Sequence, residues 1–221
     1  MRLALLLGGL ALSAQAFSAD IPLYPTGPAQ DSAYLRLINV SASPLELAPD
    51  GSKATLKLAG DKVATDFIAV PGGKTAKGTL TRDGHHVPLA VTVAPGDFAT
   101  VFALPAADGG IQQQVVTEPF DLPNQLKASV ALFNTDARCT DAKVNVAGKD
   151  LDLFQKAPAG NPRRQELNPR AQLAVQLVCA GANVGPAVEL GPLEANKRYS
   201  LLLVPSPAGP HLVAVTDSVA N

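Results

Sequence analysis

The side chains in this sequence that could do chemistry are few. Arg163, Arg164 and Arg170 fall within the ten residues Asn161-Pro162-Arg163-Arg164-Gln165-Glu166-Leu167-Asn168-Pro169-Arg170, where Asn-Pro-Arg occurs twice. Guanidinium forks match carboxylates in bidentate geometry, and Pro162 and Pro169 hold the backbone turned or extended. The segment reads as a solvated loop before a strand at 171–179, able to touch an acidic partner or an anionic polysaccharide. His85-His86 follows Asp83-Gly84, a dipeptide suited to a tight hairpin turn. Neighbouring residues of a strand face opposite sides, so two adjacent imidazoles do not converge on one metal. His211 stands alone before a closing strand. With three His and two Cys in all, no metal site is expected.

Acyl transfer needs an activated nucleophile and donors for an oxyanion. No Gly-x-Ser-x-Gly elbow and no Gly-Asp-Ser block occurs; Gly60-Asp61 and Gly96-Asp97 continue into Lys62 and Phe98. Asp217-Ser218 lacks the preceding Gly and falls where a frayed C-terminus is expected. No catalytic residue and no cofactor is assigned. Sugar stacking wants exposed aromatics, yet Trp is absent and Tyr occurs only at 24, 34 and 199.

Cys139 and Cys179 are the only cysteines. In Leu173–Cys179 the residues Leu173, Val175, Leu177 and Cys179 share one strand face, and Cys139 follows the strand 130–134 after a short polar stretch. An oxidising compartment would let them join, closing a loop of about 40 residues and stabilising by about 4 kcal/mol on a chain-entropy account. Two separate buried thiols are the alternative. The spacing does not suit a redox-active Cys-x-x-Cys pair.

That compartment is suggested by the first residues. Met1-Arg2 is a short basic start, Leu3–Leu12 an apolar run too short to cross a bilayer, and Ala14-Gln15-Ala16 a small-residue box. Residues 1–19 read as a secretory signal with the mature N-terminus, cleaved after Ala16 or alternatively after Ala19, and the mature chain is expected in the periplasm with no membrane span.

The elements that must position these residues read as β. Pro (19) and Gly (18) punctuate the chain too often for long helices. Alternation marks 55–60, 87–93 and 97–104, with turns at Pro49-Asp50-Gly51, Pro71-Gly72-Gly73, Asp83-Gly84 and Pro95-Gly96. A hydrophobic share of 47% supplies a core and excludes disorder by composition. A net charge of -1 argues against a phosphate-neutralising partner, so no nucleic acid is expected.

The pattern occurs twice. Tyr34–Asn39 matches Ser129–Asn134, 93–104 matches 193–204, and 111–119 matches 211–219, the last pair each ending in Val-Thr-acid. All three matches are offset by about 95 to 100 residues and keep their order. The expectation is an all-β chain of two tandem Ig-like β-sandwich domains after a cleaved signal peptide, at 20–118 and 124–221, joined by a linker at 119–123.

Leu23-Tyr24-Pro25 through Pro28, and then Ser32–Asn39 with its Arg leading to Asn, resemble the opening of the alginate O-acetylation protein AlgF family. The segment from Arg163 to Asn168-Pro169 is similar to part of that family's second half. The resemblance spans nearly the whole mature chain, and a cellulose-acetylation homologue of the WssG type is a further candidate within it. It implies a periplasmic accessory protein that acts with a membrane O-acyltransferase and periplasmic acetyltransferases in decorating an exopolysaccharide. It carries over no catalytic residues. The alternatives are an exopolysaccharide-binding module with no part in acetyl transfer and, less favoured, an acetyltransferase with unfamiliar residues.

Overall fold

The structure is a computed structural model and describes residues 32–119, 121, 124–160 and 162–220. The signal peptide with its cleavage sites, the Leu23–Pro28 stretch and most of the 119–123 junction lie outside the described residues. Among the described residues every regular element is a strand, and no helix is long and apolar enough to cross a membrane.

The first half contributes β1 (Ser32–Asn39), β2 (Leu45–Pro49), β3 (Leu56–Leu58), β4 (Ile68–Pro71), β5 (Thr75–Arg82), β6 (His85–Thr92), β7 (Phe98–Pro105) and β8 (Ile111–Glu118). The second half contributes β9 (Ala128–Asn134), β10 (Ala142–Val146), β11 (Asp152–Ala157), β12 (Arg163–Leu167), β13 (Ala174–Cys179), β14 (Ala182–Glu189), β15 (Arg198–Val204) and β16 (His211–Asp217). They form four sheets of four strands: β4-β1-β7-β8 and β3-β2-β5-β6 from the first half, β12-β9-β15-β16 and β11-β10-β13-β14 from the second. Each strand of the first half therefore has a counterpart at the same sheet position in the second. In both halves the first and seventh strands pair in parallel, β1 with β7 and β9 with β15, and the other pairings are antiparallel. The fold is all-β and consistent with two β-sandwich domains.

Local chemistry agrees with these elements. The β5–β6 hairpin turns through Asp83 (φ 50°) and Gly84 (φ 80°), a left-handed pair that Asp-Gly accepts readily. Gly78 lets β5 approach β2, because a Cβ there would lie 2.7 Å from the carbonyl oxygen of Ala48. Arg82, at the end of β5, is buried and donates to the carbonyls of Ala103, Leu104 and Gly110, closing the β7–β8 turn. Burial lowers its pKa from the ordinary value, and Asp83 partly offsets this.

Three cores result. Leu37, Leu45, Leu58, Leu80 and Val101 fill the first sandwich, and Val130, Leu132, Phe154, Leu177 and Leu201 fill the second. The third lies between the halves: Ile38, Phe102, Leu104 and Val116 against Ala131, Phe133, Leu202 and Val204. The sheets β4-β1-β7-β8 and β12-β9-β15-β16 thus carry apolar groups on both faces. Their central strands are buried almost without interruption rather than on alternate residues.

Two readings of the sequence are corrected. Residues 163–167 are not loop but the edge strand β12, paired with β9 from Arg163↔Leu132 to Leu167↔Ala128. The C-terminus is not frayed at Asp217-Ser218. The Phe67 amide donates to the Ser218 carbonyl and the Ala220 amide to the Phe67 carbonyl, so the tail of the second half pairs with the first.

Cys139 and Cys179 form a disulfide with Cα atoms 5.4 Å apart. It fixes the β9–β10 loop, which is also held by polar side chains. Asn134 donates to the carbonyls of Cys139 and Ala157. Asp136, buried, accepts from Arg138 Nη2 at 2.6 Å and Nε at 2.9 Å. Those hydrogen bonds hold the Asp136 carboxyl below the usual carboxylate range, against an opposing effect of burial. A depressed folded-state pKa gives stability that is present above the unfolded value, about 4, and is lost as pH falls through the folded value. Asp136→Asn is therefore expected to lower stability at neutral pH and to flatten its loss below about pH 4. Urea midpoints from pH 7 down to pH 2 check this; parallel curves for variant and wild type would contradict it.

Candidate functional site

The densest set of polar side chains joins the two halves. Arg36, on β1, is 1% exposed. Leu35 and Leu37 face the first core, so Arg36 faces the second sandwich beside Ile38. Its guanidinium donates from Nε to Thr100 Oγ1 (2.9 Å), from Nη1 to Asp217 Oδ1 (2.6 Å) and from Nη2 to Ser200 Oγ (2.8 Å). It also lies over the rings of Phe67 (4.5 Å) and Phe133 (5.3 Å). Ser200 Oγ donates to the same Asp217 oxygen at 2.7 Å.

A second ion pair runs the other way. Arg164, on β12, forks onto Glu118 of β8 at 2.9 and 3.2 Å and donates to Ser129 Oγ at 3.1 Å. Its Nη2 lies 3.8 Å from Asp217 Oδ2, a buried oxygen with no hydrogen-bond partner among the described residues. Glu118 and Asp217 hold equivalent places: Phe98↔Glu118 ends the β7–β8 register and Arg198↔Asp217 ends β15–β16. Thr100 and Ser200 are equivalent as well, opposite Arg36 and its counterpart Ala131. Each half thus offers the acid that ends its last strand to an arginine of the other half. Arg198 adds an outer contact, bonding Asp121 at 2.8 Å over the Phe98 ring.

Ser200 is 0% exposed and its hydroxyl is held between a guanidinium and a carboxylate, with no imidazole in contact. Ser218 Oγ donates to Asp66 Oδ1 on the surface. His85 and His86 are exposed on β6, and His86 Nδ1 is 3.0 Å from Thr81 Oγ1. The His211 Nδ1 is buried without a hydrogen-bond partner, beside Leu202 and Val213. No group of three or more His, Cys, Asp or Glu that could hold a metal occurs among the described residues.

The three arginines read together in the sequence are separated. Arg164 is committed to the junction. Arg170 lies past β12, its backbone bridged to Leu193 and its Nε donating to the Asn168 carbonyl. Arg163 points to the other face of β12, into an open cleft of about 520 Å3 between the edge strands β11 and β12. That cleft also carries Asp152, Gln155, Lys156 and Gln165.

The sequence reading missed Arg36 and Glu118 as functional positions. Only Val130–Phe133 is an unbroken apolar run of the kind that marks a strand covered on both faces; in Tyr34–Asn39 the run is interrupted by Arg36 itself, and nothing in the sequence marks Glu118.

No protein-family model and no curated protein matches the chain. Among solved structures, it is similar to the C-terminal domain of AlgF from P. aeruginosa at 19% identity, over 41% of this chain and 98% of that one, with a TM-score of 0.35. A putative cell adhesion protein from Bacteroides uniformis ATCC 8492 aligns at 10% identity over 86% of this chain and 100% of that one, with a TM-score of 0.31. One from Bacteroides ovatus ATCC 8483 aligns at 9% identity over 86% and 98%, with a TM-score of 0.26.

The junction can be tested by a double-mutant cycle. Arg36→Met leaves Asp217 buried beside Ser200 without its main cation and is expected to cost about 3–5 kcal/mol. Adding Asp217→Asn should cost much less than in the wild type, because the stranded charge is gone. Additive losses in denaturant unfolding would contradict the coupling.

Proposed function

We propose that the protein is an exported accessory protein of exopolysaccharide O-acetylation, an adaptor that binds the membrane O-acyltransferase or the periplasmic acetyltransferases and is not itself the catalyst. One observation carries the reading. The buried hydroxyl–carboxylate set of the described residues, Ser200 with Asp217, is consumed in holding two sandwiches together. A pair of sandwiches joined through polar and apolar contacts presents surfaces at fixed spacing, which suits docking.

Three further features support it. The sequence resemblance over Ser32–Asn39 and Arg163–Pro169 points to this role. The export signal read in residues 1–19 fits an oxidising compartment, and the Cys139–Cys179 bridge belongs in one. Of the three tyrosines, Tyr34 stacks on Phe98 and Tyr199 is buried, which leaves them poor platforms for sugar rings.

Deleting the gene is expected to abolish or strongly reduce O-acetylation of the exopolysaccharide, alginate or cellulose, while polymer synthesis continues. The purified protein should not turn over acetyl donors. Polymer acetylation measured by NMR in the deletion strain checks the first, and acetate release checks the second. Unchanged acetylation together with retention of the purified protein on the polymer would favour a polysaccharide-binding module. Acetyl transfer lost on one Ser or His substitution would make it an enzyme.

A further inference from the structure

The two sandwiches open at equivalent places, and the openings have diverged. In the first, a slot of about 160 Å3 beside β4 is apolar, lined by Leu56, Ile68, Val70 and Ala76 among others. In the second, Leu153 and Phe154 are buried and fill the interior, and the mouth is polar. Ile68 stands opposite Leu35, and its counterpart opposite Val130 is Gln165.

Around the second mouth, Gln155, Lys156, Arg163 and Gln165 are exposed. Among the described residues none of these four side chains has a hydrogen-bond or ion-pair partner. The one carboxylate at the rim, Asp152, lies 3.9 Å from Lys143 Nζ. Among the described residues both flanking strands also end their sheets: β12 pairs only with β9, and β11 only with β10, which leaves their outer backbone groups without a strand partner there. The β11 edge is irregular, with register shifts against β10 and Lys156 at φ 49°, whereas β12 runs in unbroken register. A regular free edge beside two unpaired cations has a defined complement.

We propose that the β12 edge takes an extended acidic segment of a partner protein as an added strand, with its carboxylates against Lys156 and Arg163. This rests on the adaptor reading and names the chemistry of the partner. Strand addition supplies main-chain hydrogen bonds, and the flanking side chains supply selectivity. Arg163 shares the strand face of the inward residues, and a cation there opposes pairing with an apolar strand while attracting an acidic one. A saccharide is the weaker complement, because Phe154, the only ring among the described residues lining the cleft, is 1% exposed and offers no stacking face.

The test uses the full mature chain, 15N-labelled, and a blocked octapeptide of alternating Glu and Val. Saturable amide shifts are expected at 152–156 and 163–167. Lys156→Glu/Arg163→Glu alters two exposed side chains and should keep the remaining spectrum while weakening binding about tenfold or more, most at low salt. N-methylation of alternate peptide amides should weaken it by a similar factor, since it removes the ladder donors but no charge. The absence of shifts at millimolar peptide would overturn the proposal. So would indifference to N-methylation, or equal binding of a Lys-Val peptide, and tighter binding of an oligouronate would assign the cleft to a polyanion instead. The deletion phenotype does not depend on these outcomes, so the cleft and the adaptor role fail separately.

Discussion

A buried guanidinium with no partner is among the costliest groups a protein can hold, and Arg36, covered by the second sandwich, escapes that cost only when Ser200 and Asp217 meet it in register. Thr100 from its own half satisfies Nε, while Ser200 and Asp217 from the other half satisfy the remaining nitrogens. Such a pair adds little net stability over a well-packed apolar contact, but breaking it is expensive. Its effect is to make one arrangement of the halves far better than its neighbours. The surrounding apolar residues, Ile38 and Phe102 against Phe133 and Leu202, supply the non-directional attraction. Arg36 and the reciprocal Arg164–Glu118 fork supply the register.

The duplicated pattern explains why these residues meet. Equivalent sheets face each other, so equivalent strand ends come together and bring Glu118 and Asp217 to the same junction. Two acids there need two cations. They come from non-equivalent strands, β1 and β12, so the symmetry of the folds is broken in their chemistry. The open mouths diverged in the same way, one apolar and one polar with free cations. A repeat that had kept identical surfaces could offer only one kind of contact twice.

Much of this was legible in the sequence, and the limits have physical causes. Asp83-Gly84 announced its hairpin because only left-handed residues fit that turn. Cys179 was placed by its strand face and Cys139 by its position after the 130–134 strand, and the three repeated segments are three of the four strands in each of the two facing sheets. Arg36 was not legible as a buried residue, since a charge on the face opposite Leu35 and Leu37 ordinarily meets water. Arg163–Leu167 read as loop because Arg-Arg-Gln-Glu has low strand preference and is flanked by prolines. Pairing with β9 overrides that preference. The match of 93–104 with 193–204 holds in register, with Ala99 the counterpart of Tyr199; Tyr199 is buried with its hydroxyl on the Pro192 carbonyl, while Phe98 faces the junction.

The central claim is that the two sandwiches form one body through this junction. Residual dipolar couplings of backbone amides in the intact mature chain test it most directly. A single alignment tensor should fit residues 32–118 and 128–217 together, as one orientation of the halves requires. Two tensors of different magnitude, each fitting one half alone, would mean that the sandwiches move independently and that Arg36 does not hold them.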